Sequence, residues 1–184
     1  MCRDAYGSVL FIDEAYSLYR GEDEGRDFGR EALDTLISEM ENHRNDLVVI
    51  MAGYPAEMNR LMQANPGLES RMPYRIEFPN YTRDQLFRIF LKLVGEGYSY
   101  DEEFVAAVGN YFDSLPEEVI NAETFSNARF VRNLFERTCA KAGTRANFEG
   151  NEPITLTKED FRLASADSTF RTLVEKRNRT KIGF

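Results

Sequence analysis

Four apolar residues in a row, Val9-Leu10-Phe11-Ile12, stop abruptly at two adjacent carboxylates, Asp13 and Glu14. A strand with one wet face alternates apolar and polar residues, whereas an unbroken run suits a parallel sheet covered on both faces. A second run of the same kind, Leu47-Val48-Val49-Ile50-Met51-Ala52, lies downstream. Between them Ala32, Leu33, Leu36, Ile37 and Met40 recur at helical spacing, so residues 29–42 read as an amphipathic crossover helix. Strand, helix, strand is a βαβ unit, which commits this part of the chain to an α/β sheet.

After this unit Pro55, a favoured first-turn residue, opens a short helix over 56–64 that closes before Asn65-Pro66-Gly67. Arg75-Ile76-Glu77-Phe78 reads as a third strand, ended by Pro79. From Asn80 the pattern becomes all-helical. Thr82-Arg83-Asp84-Gln85 is a capping box ahead of Leu86, Ile89, Phe90 and Leu93, which share one face. Further helices follow Asp101, burying Phe104, Val105, Val108, Tyr111 and Phe112, and run from about Ser126 to Ala142 with Phe130, Val131, Leu134, Phe135 and Cys139 inward. Ile154-Thr155-Leu156 is a short extended piece, and Thr157 caps a last helix bearing Phe161 and Ala164. The expected organisation is thus an α/β domain at 1–80 and an all-helical domain at 81–184, the latter ending in a basic tail from Arg171 to Lys181.

A net charge of −8 and a pI near 4.9 argue against general affinity for nucleic acid or anionic membranes. No apolar run approaches a membrane span and the N-terminus lacks a signal pattern, so a cytoplasmic location is expected. Cys2 and Cys139 have neither zinc-site nor disulfide-framework spacing, which fits a reducing compartment.

A covered parallel strand ending in Asp-Glu is a means by which nucleotide-hydrolysing α/β proteins hold magnesium and a hydrolytic water. The local alternative is that Asp13 caps the next helical turn, with Glu14 favourably placed for its dipole. No Gly-x-x-x-x-Gly-Lys-Ser/Thr phosphate loop occurs in the sequence. Arg129 falls in the first turn of its helix, where the macrodipole disfavours a cation by about 0.3–1 kcal/mol, which points to a nearby anion. Arg132, one turn on, shares its face. Ordinary ion pairs, with Glu123 or Glu136, are the alternative.

Taken together, Leu10-Phe11-Ile12-Asp13-Glu14-Ala15-Tyr16-Ser17-Leu18, Val49-Ile50-Met51-Ala52-Gly53-Tyr54, Asn65-Pro66-Gly67-Leu68-Glu69-Ser70-Arg71 and Asn127-Ala128-Arg129-Phe130-Val131-Arg132-Asn133 resemble the AAA+ ATPases of the stage V sporulation protein K and CbbX/CfxQ group. The resemblance covers nearly the whole chain and implies the later part of an AAA+ module: a partial parallel sheet, then a helical lid.

The resemblance implies a role for each of several residues. Asp13 matches the Walker B aspartate that orients magnesium through its waters, and Glu14 the glutamate that polarises the attacking water. Arg71 matches the arginine finger that reaches a neighbouring subunit's ATP; its ordinary alternative is a pair with Glu69 or Glu77. Arg129 matches the sensor-2 arginine, with Arg132 beside it as a nucleotide contact, and Tyr54 stands at the sensor-1 place. Residues 19–28 match the second central-pore loop.

The parent is therefore expected to be a hexameric, magnesium-dependent ATPase that remodels a protein substrate, with membrane and nucleic-acid partners not expected. This chain alone is expected to bind no ATP tightly and to hydrolyse none, because the phosphate loop is missing. An inactive interaction scaffold is the alternative. In the family fold the phosphate-loop strand lies between those matching 47–52 and 75–78. The gap is expected to close by movement of the third strand, by pairing with another chain, or by association with the missing segment.

Overall fold

The structure is a computed structural model that describes residues 2–19, 28–145, 154–168 and 170. The chain divides at the Phe78–Pro79 bond into two units.

In the first unit, β1 (Ser8–Ile12) and β2 (Leu47–Met51) pair in parallel, with Ser8 opposite Leu47 and Ile12 opposite Met51. The connection carries α1 (Phe28–Asn42), as a parallel pair requires. One side of α1 buries Leu36 against Ala5, Leu10 and Leu47, while Leu33 packs with Ala15, Leu61 and Leu68. The last two come from α2 (Pro55–Ala64), which has Pro55 in its first turn, and from the one-turn α3 (Pro66–Glu69).

Two expectations fail here. The first is that the sheet is covered on both faces. Leu10 and Leu47 are buried, but Val9, Phe11, Val48 and Ile50 on the other face are 51%, 59%, 55% and 47% exposed. The runs are apolar on both faces because each residue suits a covered position, yet among the described residues only one face has a covering layer.

The second failed expectation is the strand at 75–78. Residues 73–81 form no strand, and Tyr74, Ile76 and Phe78 stand 87%, 77% and 91% exposed. The alternation of apolar residues has β propensity, but a strand exists only by pairing, and the described sheet has two strands. The gap is therefore not closed by movement of this segment.

The second unit is built on α4 (Arg83–Gly95), α5 (Glu102–Ser114), α7 (Ala128–Arg145) and α8 (Lys158–Ser165), with the one-turn α6 (Glu117–Ile120) between α5 and α7. The Thr82–Gln85 capping box is formed as its sequence indicates, and Asp101 caps α5 through the Phe104 N–H at 2.8 Å. Leu86, Phe90, Val94, Phe104, Val108, Phe112, Val131, Leu134 and Phe161 make one continuous core. The short extended piece at 154–156 has a partner that the sequence does not announce: β4 (Thr155–Leu156) pairs in parallel with β3 (Ser99–Tyr100).

Asp160 is a charged residue in this unit's interior, 1% exposed. It accepts from Arg145 Nε at 2.9 Å and Nη2 at 2.8 Å, and from the Thr157 N–H at 2.9 Å. Burial pushes its carboxyl pKa up, but the Arg145 and Thr157 hydrogen bonds outweigh this and hold it below the ordinary aspartate value. The unfolded chain therefore takes up the proton first as pH falls. The stabilisation is complete above about pH 4, the unfolded aspartate value, and is lost as pH drops towards the lower folded one. Asp160→Asn is expected to destabilise this unit by roughly 1–3 kcal/mol at neutral pH, and to flatten that acid limb of its stability measured by urea denaturation.

Candidate functional site

The site begins where the β1–β2 ladder runs one step past the strands. The Ile12 carbonyl accepts from the Ala52 N–H at 2.9 Å, and the Ala52 carbonyl accepts from the Ala15 N–H at 3.0 Å. These two bonds pin both ends of the turn that carries Asp13 and Glu14. Glu14 sits in the left-handed region at φ 49°, ψ 43°, which a non-glycine residue adopts only when its surroundings force it, at a cost of order 1–3 kcal/mol. Here the forcing comes from the Ala15 bond and the fully buried Ala15 side chain.

The two carboxylates thus sit in a turn beyond the strand and not on its pleat. Nor does Asp13 act as a helix cap. Its Oδ1 accepts from the neighbouring Glu14 N–H at 3.0 Å, and the short 3₁₀ turn Ala15–Leu18 has no side-chain cap. Both side chains are exposed, and among the described residues neither carboxylate has a cationic partner.

Opposite this turn lies the end of β2. Gly53 approaches so closely that a Cβ there would stand 2.7 Å from Tyr16 Cδ1 and 2.9 Å from Met58 Sδ. Only glycine leaves room for the Tyr16 ring, whose centroid is 6.1 Å from that of Tyr54. Burial and then the neighbouring Glu14 carboxylate push the Tyr16 hydroxyl pKa up, so the phenol stays protonated. Tyr54 is 58% exposed at the mouth of this end of the sheet. Asp13, Glu14, Tyr16, Gly53 and Tyr54 therefore share one end of β1 and β2. Sequence spacing does not single out Gly53 and Tyr16; their signal is the close approach, visible only in three dimensions.

Arg71 follows α3. Its partner is neither Glu69 nor Glu77 but Glu41 near the end of α1, at 3.0 Å from Nη2. Nη1 also donates to the Gly67 carbonyl at 3.0 Å, while the buried Nε has no partner. The guanidinium is partly withdrawn from solvent and held by a screened ion pair.

In the second unit, α7 starts from Asn127, another non-glycine residue at positive φ, 48°. Its Oδ1 accepts from the Tyr81 N–H at 3.0 Å, and its Nδ2 donates to Asn80 Oδ1 at 2.8 Å. Asn80 in turn donates to the Ile120 carbonyl at 2.9 Å. This clasp fixes the first turn of α7, where Arg129 and then Arg132 are exposed; among the described residues neither has an ion pair, with Glu123, Glu136 or any other group. Asparagine is among the residues that tolerate left-handed backbone, which is the local signal for the role of Asn127. Most of the proposed pore loop, at 20–27, and the basic tail at 171–184 lie outside the described residues.

Two exposed carboxylates, unpaired among the described residues, suit a magnesium ion held mainly by phosphate oxygens and water. They do not make a protein-built cage, and among the described residues no group of three or more acidic, histidine or cysteine side chains could hold a metal. Among the same residues no helix is long and apolar enough to cross a membrane.

An acidic turn at the end of a parallel strand pair, followed in sequence by a helical unit with two exposed arginines that have no ion pair among the described residues, fits an AAA-type chain. Residues 1–80 match the family described as ATPase family associated with various cellular activities (AAA), and residues 82–171 match the AAA lid domain. The chain belongs to the AAA+ family, and its relatives lie in the CfxQ/CbbX and stage V sporulation protein K group. It is 39% identical to the CfxQ homolog of Galdieria sulphuraria over 169 residues, which is 91% of this chain and 53% of that protein. Identity to CbbX of Cereibacter sphaeroides is 39% over 167 residues, 87% of this chain and 52% of that protein. For stage V sporulation protein K of Bacillus subtilis it is 40% over 139 residues, covering 75% and 42%. The chain thus spans about half the length of the curated relatives it matches. The crystal structure of the FIGL-1 AAA domain superposes on 95% of this chain and 57% of its own, with TM-score 0.56 and 16% identity, a likeness of fold.

Proposed function

We propose that this chain supplies the water-activating, trans-acting and lid elements of an AAA+ ATPase that remodels a protein substrate as a ring-shaped oligomer. The observation that carries the reading is the Asp13–Glu14 turn: two exposed carboxylates at a strand's carboxyl end, without a cationic partner among the described residues, one held in a strained conformation. Magnesium-bound ATP, when present, supplies the reacting phosphoryl group and neutralises its charge. Asp13 would hold the ion through its waters, and Glu14 would polarise the attacking water and take up its proton. Arg71 would reach the nucleotide of a neighbouring copy. Arg129 and Arg132, fixed by the Asn127 clasp and free of ion pairs among the described residues, would bind nucleotide phosphates from the lid. Tyr54, exposed at the same end of the sheet as Asp13, would flank the nucleotide.

The chain contains no phosphate loop, and with it go the backbone amides and lysine that supply most phosphate contacts. Residues 1–184 alone are expected to show no Glu14-dependent ATP turnover. Joined in one polypeptide to the portion of Cereibacter sphaeroides CbbX outside the match, they are expected to hydrolyse ATP. Glu14→Gln should then lower the turnover roughly 10²- to 10⁴-fold. A phosphate-release assay in which that variant matched the parent would refute the reading.

A further inference from the structure

The turn that carries Arg129 and Arg132 is held from outside its own helix. Asn80 and Tyr81, among the first residues of the second unit, reach Asn127 across 47 and 46 positions of sequence. The Tyr81 N–H can only donate, so it fixes Asn127 Oδ1 opposite itself, at 3.0 Å, and leaves Nδ2 to face oxygens. That Nδ2 donates to Asn80 Oδ1 at 2.8 Å and to the Phe125 carbonyl at 3.1 Å. Asn80 Nδ2 donates in turn to the carbonyl of Ile120 on α6, at 2.9 Å. Behind the turn, Phe130 is buried against Phe125 and Phe170, with ring centroids 5.1 Å and 5.5 Å away.

A helix can start on one capping side chain, as α4, α5 and α8 do from Thr82, Asp101 and Thr157. The start of α7 instead uses an asparagine at positive φ whose amide ties together separate segments of the unit. Strained backbone persists only where its surroundings over-determine it, and it gathers at ligand clamps. The turn carries two exposed guanidinium groups without an ion pair among the described residues, at a helix end whose dipole disfavours cations. Fixing uncompensated cations in place suits groups that must meet an anion at a set position, where a misplacement of about 1 Å can cost roughly 100-fold.

We propose that Asn80 and Asn127 are positioning residues for phosphate binding by Arg129: their paired amides lock the arginine turn in the orientation in which it meets a nucleotide. The inference rests on the ATPase reading of this chain. In this role neither amide touches the nucleotide, and each acts through the turn.

The polypeptide joined to the remaining portion of Cereibacter sphaeroides CbbX supplies the test. Asn80→Ala removes one amide. Asn127→Gly removes the other while keeping the left-handed backbone at no steric cost, so it separates the clasp from the backbone angle. Each is expected to raise KM for ATP roughly 10- to 100-fold with a smaller change in kcat. In an Arg129→Ala background Asn80→Ala should add less than about 2-fold, because its effect passes through that arginine. Asp101→Ala, which removes the cap of α5, destabilises the same unit elsewhere and should leave KM within about 2-fold of the parent. In 1–184 itself, amide exchange at Arg129, Phe130 and Val131, whose N–H groups bond the Ser126 and Asn127 carbonyls, should speed at least about 10-fold in both variants. Circular dichroism checks that both keep their helices.

Unchanged exchange at those three amides overturns the proposal, as does a KM effect of Asn80→Ala that persists undiminished without Arg129. An active joined parent whose KM neither variant moves overturns it too, and leaves the ATPase reading intact. A joined parent without turnover removes the ATPase reading and the phosphate role of the clasp together.

Discussion

Phe90→Ala is expected to lower the stability of the helical unit by roughly 3–5 kcal/mol, the range for removing a fully buried phenylalanine. Phe90 is inaccessible to solvent, and its ring centroid lies 5.5–6.2 Å from those of Phe104, Phe112, Phe135 and Phe161. Those rings belong to α5, α7 and α8, so a single side chain on α4 joins every long helix of the unit. The cavity cannot close by a local shift, since each wall is anchored on a different helix, and the cost belongs at the upper end of the range. Because about 1 kcal/mol moves the midpoint of a unit this size by roughly 4–8 °C, a drop of more than about 12 °C is expected in the melt followed at 222 nm. Leu163→Ala, at a residue 43% exposed on α8, should change stability by less than about 0.5 kcal/mol.

That core was the most legible part of the sequence. Leu86, Phe90, Phe104, Val108, Phe112, Val131, Leu134 and Phe161 all recur at helical spacing, and helices form from contacts a few residues apart. The boundaries came with them, since Thr82, Asp101 and Thr157 are capping residues that act within one turn. The β3–β4 pair was illegible for the opposite reason: its two-residue strands lie 56 positions apart and no local pattern links them.

In the first unit the strands and crossover helix could be read because apolar runs and helical periodicity are local. The cover over the strands could not, because continuous apolar runs record suitability for two covered faces and say nothing of whether both covers are present. Tyr74, Ile76 and Phe78 fail as a strand for the same reason. Within the candidate site, Asp13 and Glu14 stood out as adjacent carboxylates after an apolar run. The left-handed turn of Glu14, the Gly53 contact with Tyr16 and the Asn80–Asn127 clasp depend on atoms distant in sequence or on backbone angles, and no residue spacing encodes them.

Arg71→Ala separates two roles that the structure allows one side chain. Within its own unit, Arg71 makes a half-exposed ion pair with Glu41 and a bond to the Gly67 carbonyl, and it carries a buried Nε without a partner. Exposed ion pairs contribute about 0–1 kcal/mol, and the unpartnered Nε works against that gain, so the variant is expected to melt within about 1 kcal/mol of the parent. If Arg71 serves a neighbouring copy's nucleotide, its loss from the joined, ATP-hydrolysing polypeptide should cost roughly 10³- to 10⁵-fold in turnover. The weakness of the Glu41 pair is what permits both, since a guanidinium locked in a deeply buried bridge could not leave it for a phosphate. Mixing Arg71→Ala with Glu14→Gln subunits supplies the decisive measurement. On the proposed reading each lacks a different half of a site shared between neighbours, so mixed rings should regain part of the parent turnover that neither variant has alone. A steep loss of thermal stability in Arg71→Ala, or no recovery on mixing, would place the arginine within its own subunit's framework.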